Sequence, residues 1–243
     1  MNVLAIIPAR SGSKSIRHKN LEKVGGKSLL ELSISHALES SLVNRVIVST
    51  DSKEYGKVAT QAGADVPFLR PKEISGDCSS DFECFDHCLR ALRRDDSYFP
   101  DICVHLRPTS PHRSVEIMDK MIKFLMENDD YDSCRTVEKV LHPPFKMWYM
   151  DGNKDLTPIV PKVRTLKYSM ENVYEPWNQQ TELLPSAYLH NGNIDVVRSS
   201  VIMDKKSMSG SKIKGFLMGH SVNIDSREEL KEAQEKENEK SNR

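Results

Sequence analysis

Four cations lie close together near the start of the 243-residue chain. The segment Pro8–Asn20 contains Arg10, Lys14, Arg17 and Lys19 with one glycine and three serines, and it contains no acidic residue. Such cations repel one another unless an anion binds between them, while glycine and serine let backbone N–H groups approach phosphate oxygens. We call this segment the basic loop and predict that it holds a triphosphate. A solvated loop without a ligand is the alternative.

The basic loop does not belong to either of two common phosphate-binding motifs. Gly26-Lys27-Ser28 resembles the end of a P-loop, but Leu21 stands where that motif requires its first glycine. No Gly-x-Gly-x-x-Gly sequence follows a predicted strand, which argues against a dinucleotide-dependent dehydrogenase.

Two further segments offer arginine and hydroxyl groups that can bind ribose, base edges or acid groups. One is Arg107-Pro108-Thr109-Ser110-Pro111-His112-Arg113, and the other runs from Arg70 to Ser80. Ser80 also has the spacing of a helix cap, so a structural role and a ligand contact both remain open for it. His112 is a candidate general base, although a single loop histidine is more often structural or merely exposed.

Alternating strands and helices are predicted to position these loops. Short apolar runs at 3–7, 45–49 and 102–106 are typical of strands buried on both faces. Ser-x-x-Glu pairs predict helix starts at Ser28, Ser80 and Ser226, and Gly63 predicts a helix end. This order indicates an α/β fold with a mostly parallel sheet and helices on both faces. In such folds, ligands bind where the strands end.

Repeated prolines and predicted strands set the region 138–188 apart. Residues 145–150 read as a strand that enters a tight turn at 151–153. We predict one nucleotide-binding domain over 1–243 with an inserted β-rich arm at 138–188. The arm suits a dimer contact, a lid or a plain surface excursion.

The 35 basic and 35 acidic residues give a formal net charge of zero. This balance argues against binding to nucleic acid or an anionic membrane through bulk positive charge. Neither a secretory signal nor an apolar run of membrane-spanning length is evident. Five cysteines, an odd number, fit a reducing cytoplasm. Cys84, His87 and Cys88 are a candidate metal site, but buried thiols on one helix face are the favoured interpretation.

The sequence resembles the acylneuraminate cytidylyltransferases, the CMP-sialic acid synthetase family, which includes enzymes for legionaminic and pseudaminic acid. The resemblance begins with Ile-Pro-Ala-Arg-Ser-Gly-Ser-Lys at Ile7–Lys14, followed by Lys19-Asn20. The other matching motifs, in family order, are Ser49-Thr50-Asp51, Leu69-Arg70-Pro71, Pro108-Thr109-Ser110-Pro111 with Arg113, Asn191-Gly192-Asn193-Ile194 and Asn223-Ile224-Asp225.

The resemblance implies a three-layer Rossmann-like nucleotide-diphospho-sugar transferase fold and a homodimer. The implied reaction transfers CMP from CTP to the anomeric hydroxyl of an acidic nine-carbon sugar, with Mg²⁺ assistance and release of pyrophosphate. From their positions in the family motifs, Arg10 and Lys19 are the implied catalytic residues. Asp225 and Asn223 are the implied metal ligands. The implied substrate-binding residues are Lys14, Asn20, Arg70, Ser80, Arg107, Thr109, Ser110 and Asn191.

Four departures from the family pattern bear on the acceptor and the metal. Asn223 replaces an aspartate, and Arg107 replaces the glutamine of sialic acid enzymes. Thr181-Glu182 and Leu189 stand where those enzymes have arginines, so Arg107 is a candidate substitute cation for the sugar acid. We therefore expect a sialic-like bacterial nonulosonic acid rather than sialic acid. A same-fold transferase for another sugar or NTP, and an inactive nucleotide-binding relative, are the alternatives.

Overall fold

A computed structural model of the protein describes residues 1–164 and 172–241. The chain divides into two compact units. The larger unit comprises Met1–Thr136 and Asn191–Arg243, and the smaller one comprises Val137–His190. The predicted arm at 138–188 falls within the smaller unit.

The bounds of the strands and helices follow the chain. The described strands are β1 (Val3–Pro8), β2 (Lys23–Val24), β3 (Lys27–Ser28), β4 (Arg45–Ser49), β5 (Ile102–His105), β6 (Ser133–Lys139), β7 (Trp148–Met150), β8 (Leu156–Pro158), β9 (Lys162–Arg164), β10 (Asn172–Tyr174), β11 (Tyr188–Arg198) and β12 (Ile213–Leu217). The described α-helices are α1 (Leu29–Glu39), α2 (Lys53–Gln61), α3 (Asp81–Asp95), α4 (Val115–Glu127), α5 (Ser199–Met203) and α6 (Arg227–Ser241). None of these helices is long and apolar enough to cross a lipid bilayer.

Six strands form the central sheet in the order β12-β6-β11-β5-β1-β4. β1 pairs in parallel with both β4 and β5, whereas β11 runs antiparallel to β5. The predicted α/β class with a mostly parallel central sheet is confirmed. Pro8 pairs with Ser49, and Ile6 pairs with His105. The segments after β1, β4 and β5 therefore leave the sheet at the same edge.

The alternation of side chains along β1 explains why helices cover both faces of the sheet. Val3, Ala5 and Ile7 pack into one buried cluster with apolar residues of α1, α2 and α4. Leu4 and Ile6 point to the opposite face and pack against α3 and α5. Each of these side chains is fully buried, which explains why the sequence of β1 is apolar at consecutive positions rather than at alternate ones.

Local signals set the helix ends as predicted. Ser28 and Ser80 each accept a hydrogen bond from the backbone N–H three residues later, and the glutamate at that position bonds back to the cap. Ser226 and Glu229 form the same reciprocal pair before α6. Gly63 follows the C-cap of α2 with a φ of 96°, a conformation in which glycine avoids steric strain. All four predicted boundaries are confirmed.

Within the smaller unit, β7 and β8 form an antiparallel hairpin, and β9 also pairs with β10 in the antiparallel orientation. The predicted strand at 145–150 begins later, at Trp148, because Pro144–Lys146 form a 3₁₀ turn. Proline suits the first position of such a turn, since it lacks the N–H that a strand ladder requires.

Candidate functional site

A cavity of about 430 Å³ lies in the larger unit, where the predicted loops meet. Its lining residues come from the basic loop, the segment before α3, the first turn of α3, the segment after β5 and the segment before α6. They are Pro8, Arg10, Ser13, Lys14, Ser15, Lys19, Asn20, Arg70, Ser79, Ser80, Asp81, Cys84, Arg107, Pro108, Thr109 and Asp225. Nine of the twelve residues predicted to be functional are among them.

The basic loop is held in place at three points. The N–H and the hydroxyl of Ser11 donate to the carboxylate of Asp51, at 2.8 and 3.0 Å. The amide of Asn20 donates to the carbonyl of Arg10 at 3.0 Å. Ile16 is fully buried in a small apolar cluster with residues of α1 and α6. The backbone of the loop is thus anchored while its long cationic side chains remain available to the cavity.

Exposed carboxylates pair with three of the four cations of the basic loop. Arg10 Nη1 and Lys14 Nζ contact the two oxygens of Asp77 at 2.8 and 2.5 Å. Both hydrogen bonds lower the pKa of Asp77, and the one from Lys14 has the larger effect. Lys19 Nζ donates to Asp225 Oδ1 at 3.0 Å and to the carbonyl of Ile224 at 2.9 Å. Each cation therefore binds an oxygen that a phosphate can replace.

Arg70 is a buried cation on the cavity wall, and only 7% of its surface is exposed. Its guanidinium donates to the hydroxyl of Ser49 at 3.1 Å and to the carbonyl of Ser49 at 2.5 Å. Both partners are neutral, and no carboxylate pairs with Arg70 in the described part of the chain. Its charge is therefore available to an electron-rich ligand.

The N-terminus of α3 faces the cavity through Ser79, Ser80 and Asp81. The Ser80 hydroxyl caps the helix by accepting from the N–H of Glu83 at 3.2 Å. The capping role considered for Ser80 is thus observed, and the residue also lines the cavity.

Two carboxylates, one of them buried, surround Arg107. Arg107 Nη1 donates to Asp195 Oδ2 at 2.8 Å and to the carbonyl of Gly192 at 3.3 Å, while Nη2 donates to Asp81 Oδ2 at 2.9 Å. Burial would lower the pKa of Arg107, but Asp195 and Asp81 outweigh it and raise that pKa. Gly192 has a φ of 65°, and a Cβ there would lie 3.7 Å from Arg107 Nη1.

His105 lies beneath this cluster and is completely buried. Its two ring nitrogens are 3.9 Å from Asp81 Oδ1 and 3.8 Å from Asp195 Oδ2, too far for hydrogen bonds. Neither nitrogen has a hydrogen-bond partner among the described residues. Burial, followed by the charge of Arg107, lowers the pKa of His105 to about 3, so the ring is neutral near pH 7.

Arg113 fixes the segment after β5 from inside the protein. Its guanidinium donates to the carbonyls of Arg107 and Asn193 and to the hydroxyl of Ser33. Burial and the nearby charge of Arg107 lower the pKa of Arg113 to about 9. The carbonyl of Thr109 in turn accepts from the N–H of Ile224 at 2.8 Å. This contact joins the segment after β5 to the one that carries Asp225.

A family model described as cytidylyltransferase matches residues 4–205, which is most of the chain. The chain belongs to the cytidylyltransferase family. The match begins in β1 and ends after α5, so it includes the basic loop, the start of α3 and the Arg107 cluster.

Two relatives of the chain have names that refer to acid sugars. The N-acylneuraminate cytidylyltransferase of Escherichia coli is 38% identical over 141 residues, which cover 58% of this chain and 32% of that protein. The CMP-N,N'-diacetyllegionaminic acid synthase of Legionella pneumophila is 40% identical over 116 residues, 48% of this chain and 50% of that protein. This cytidylyltransferase chain spans a third to a half of the length of these two relatives.

The fold of this cytidylyltransferase also occurs in solved structures. A CMP:2-keto-3-deoxy-manno-octonic acid synthetase in complex with CTP has a TM-score of 0.71 and 14% sequence identity, and the likeness covers 99% of this chain and 100% of that one. At this identity the comparison shows the shared fold.

The two residues predicted to bind metal occupy different positions. Asp225 lines the cavity, and 65% of its side chain is exposed. Asn223 is not part of the cavity lining, and its amide nitrogen donates to Asp225 Oδ2 at 2.6 Å. One carboxylate beside a phosphate site fits Mg²⁺, which takes most of its ligands from water and substrate phosphates. No cluster of three or more metal-ligating side chains occurs among the described residues.

Three other predicted residues lie outside the cavity lining. Ser110 is fully buried, and its N–H donates to the carbonyl of Arg107. Asn191 is 8% exposed and accepts from the hydroxyl of Thr136 at 2.7 Å. His112 lies 3.1 Å from Glu237 of α6. Direct contact of Ser110 and Asn191 with substrate stays a prediction.

The sequence interpretation missed the acids of the site. Asp77 and Asp81 contact the cations of the cavity, and Asp51 holds the basic loop. Asp51 lies in a family motif and Asp81 follows the cap Ser80, so position along the chain offered a weak signal for both. Asp77 had no local signal, because its partner Arg10 is 67 residues away.

Proposed function

We propose that this chain transfers CMP from CTP to the anomeric hydroxyl of a sialic-like nonulosonic acid and releases pyrophosphate. The convergence of Arg10, Lys14 and Lys19 on one cavity with Arg70 and Ser80 carries the proposal. Three cations suit a triphosphate, and a buried arginine beside a hydroxyl suits the edge of a base.

In the proposed reaction, the anomeric oxygen forms a bond to the α-phosphorus of CTP, and its proton passes to a general base or to solvent. The bond from the α-phosphorus to the oxygen bridging to the β-phosphate breaks, and its electron pair leaves with pyrophosphate. Negative charge therefore develops on the phosphate oxygens and on the leaving group. Arg10 and Lys19 are proposed to stabilise that charge, and Lys14 to bind the outer phosphates.

A magnesium ion is proposed to assist, with Asp225 as its ligand from the protein and charge neutralisation as its contribution. The present partner of Asp225, Lys19, would then be free to bind phosphate. Asn223 is proposed to orient Asp225 through the hydrogen bond between them.

The homodimer is also part of the proposal, and the inserted arm is the proposed contact. Large apolar side chains of the smaller unit are exposed: Tyr149 at 65%, Met150 at 67% and Leu156 at 56% belong to the β7–β8 hairpin. Exposed apolar clusters of this kind mark protein interfaces. Light scattering of the protein and of a Tyr149→Ser, Met150→Ser variant tests this contact, and a monomeric parent protein would contradict it.

The reaction itself is tested by measuring pyrophosphate release with Mg²⁺, each of four NTPs and a panel of N-acetylneuraminic, N,N'-diacetyllegionaminic and pseudaminic acids. We expect release with CTP and one of the two bacterial acids. Release with another NTP would indicate a different transferase. Saturable CTP binding without release from any pair would indicate an inactive relative.

A further inference from the structure

The carboxylate of Asp81 stands in a cavity that must accept two anionic substrates. Its side chain is 43% exposed, and it shares the cavity wall with four cationic side chains of the proposed site. A carboxylate there repels phosphates and sugar acids alike, so its presence calls for a partner or a task.

Arg107 holds this carboxylate in one orientation. Its Nη2 donates to Asp81 Oδ2, while its Nη1 is anchored on Asp195, whose side chain is only 3% exposed. The guanidinium is thus bound on two sides, and its charge is compensated by two carboxylates. As a consequence, Arg107 is poorly placed to bind the acid group of a sugar, which was its candidate role in the sequence.

The second oxygen of Asp81 is the one left for a ligand. The hydrogen bond from Arg107 goes to Asp81 Oδ2, and Asp81 Oδ1 has no hydrogen-bond partner among the described residues, with His105 Nε2 at 3.9 Å too far to donate. The ring of His105 is neutral and fully buried, so it adds no compensating charge on that side. An ionised carboxylate accepts hydrogen bonds and donates none.

We propose that Asp81 is a substrate-recognition residue that accepts a hydrogen bond from a neutral donor, a hydroxyl or an amide N–H, of one of the two substrates, and that Arg107 is the positioning residue that orients it. This inference rests on the proposed function and deepens it. Asp81 also prevents a phosphate or sugar carboxylate from lying at this wall, which directs the acidic groups toward the basic loop.

Asp81→Asn and Arg107→Gln test the proposal. For each variant, steady-state pyrophosphate release gives kcat and the KM of each substrate, and calorimetry gives the Kd of CTP alone. Asp86→Asn is the matched control, because Asp86 lies on the same helix outside the cavity lining and pairs with Arg90. Thermal unfolding of each variant verifies that it is folded.

We expect Asp81→Asn to raise the KM of the donating substrate by about 10- to 100-fold, the usual range for losing a hydrogen bond to a charged group, with a smaller change in kcat. A raised KM for the sugar would show that the hydrogen-bond donor belongs to the sugar. A raised Kd for CTP would show that it belongs to the nucleotide. Arg107→Gln should shift the same constant, and the double variant should add little, because one interaction is lost in both.

Two results would overturn the role of Asp81. If Asp81→Asn leaves the KM of both substrates and the Kd of CTP unchanged, Asp81 does not recognise a substrate. If Asp81→Asn lowers the KM of the sugar, the freed Arg107 binds the acid group itself. Failure of the proposed function looks different, since the wild-type chain would then release no pyrophosphate with any acid. Even in that case, the Kd of CTP measures whether Asp81 recognises the nucleotide.

Discussion

The cavity holds its cations in two different ways. Arg10, Lys14 and Lys19 pair with Asp77 and Asp225, carboxylates whose side chains are 39% and 65% exposed. By contrast, Arg107 is bound to Asp195, which is 3% exposed, as well as to Asp81 and a backbone carbonyl. The first set of carboxylates is open to water, whereas the Arg107–Asp195 pair lies largely out of it.

This difference in exposure separates exchangeable cations from fixed ones. An ion pair in solvent contributes little to stability, so a substrate phosphate can displace Asp77 at small cost. Removing one partner of a buried ion pair leaves an unpaired charge in the protein interior, where water cannot solvate it. Such a loss is strongly destabilising. The basic loop is therefore suited to binding and release, whereas the Arg107 cluster is suited to holding a wall of the cavity.

The largest expected effect concerns turnover at the basic loop. Arg10→Ala and Lys19→Ala should each reduce kcat by about 10²- to 10³-fold, because each removes a charge that we propose stabilises the transition state. The melting temperature should change little, since both pairs are exposed at the carboxylate. Pyrophosphate release and thermal unfolding are the measurements.

Arg17→Ala is the control for these variants, because Arg17 is an exposed cation of the same loop outside the cavity lining. Wild-type turnover in both Arg10→Ala and Lys19→Ala would contradict the assignment of the basic loop to the triphosphate.

The next effect concerns stability at the Arg107 cluster. Arg107→Ala should lower the free energy of unfolding by about 3 kcal/mol, because it leaves the buried Asp195 without its main partner. Urea denaturation measures the loss, and adding Asp195→Asn should restore part of it by removing the uncompensated charge. Equal stability of Arg107→Ala and Arg10→Ala would erase the distinction between fixed and exchangeable cations.

A smaller effect concerns the pH dependence of stability. The folded-state pKa of His105 is about 3, below the ordinary value of 6.5, so between these values the unfolded chain binds a proton that the folded protein does not. The free energy of unfolding therefore falls as the pH falls through this window, by at most about 1.4 kcal/mol per pH unit for this group.

His105→Leu should make that pH dependence shallower between pH 7 and pH 5, as measured by urea denaturation at each pH. Leucine is a fair replacement because neither ring nitrogen has a hydrogen-bond partner among the described residues. Some slope should remain, since burial also lowers the pKa of His36 to about 4. An unchanged slope would show that His105 is not held neutral by burial.

The smallest expected effect is a gain. Asp77→Asn should strengthen CTP binding by about two- to fivefold, because the variant removes a carboxylate that competes with phosphate for Arg10 and Lys14. Calorimetry measures the Kd, and Glu73→Gln, an exposed acid in the same segment, is the control. Weaker binding in Asp77→Asn would show that Asp77 supports the nucleotide instead of competing with it.

Much of the fold was predictable because its signals are local. The buried runs that became β1, β4 and β5 and the three Ser-x-x-Glu caps depend on residues a few positions apart. The strand predicted from Phe145 began at Trp148, because preceding prolines favoured a 3₁₀ turn over a ladder. Nine of the twelve predicted site residues line the cavity, whereas Ser110, Asn191 and Asn223 do not.

By itself the sequence determined where the cations are, which strands carry them to one edge of the sheet, and which family the motifs resemble. Only the tertiary structure decided which acid faces each cation. Arg10 meets Asp77 across 67 residues, Arg107 meets Asp195 across 88, and Lys19 meets Asp225 across 206. Charge type and helix caps are properties of neighbouring residues, but these pairings depend on strand register and loop packing. Burial then decides whether each pair can exchange with a substrate or must stay.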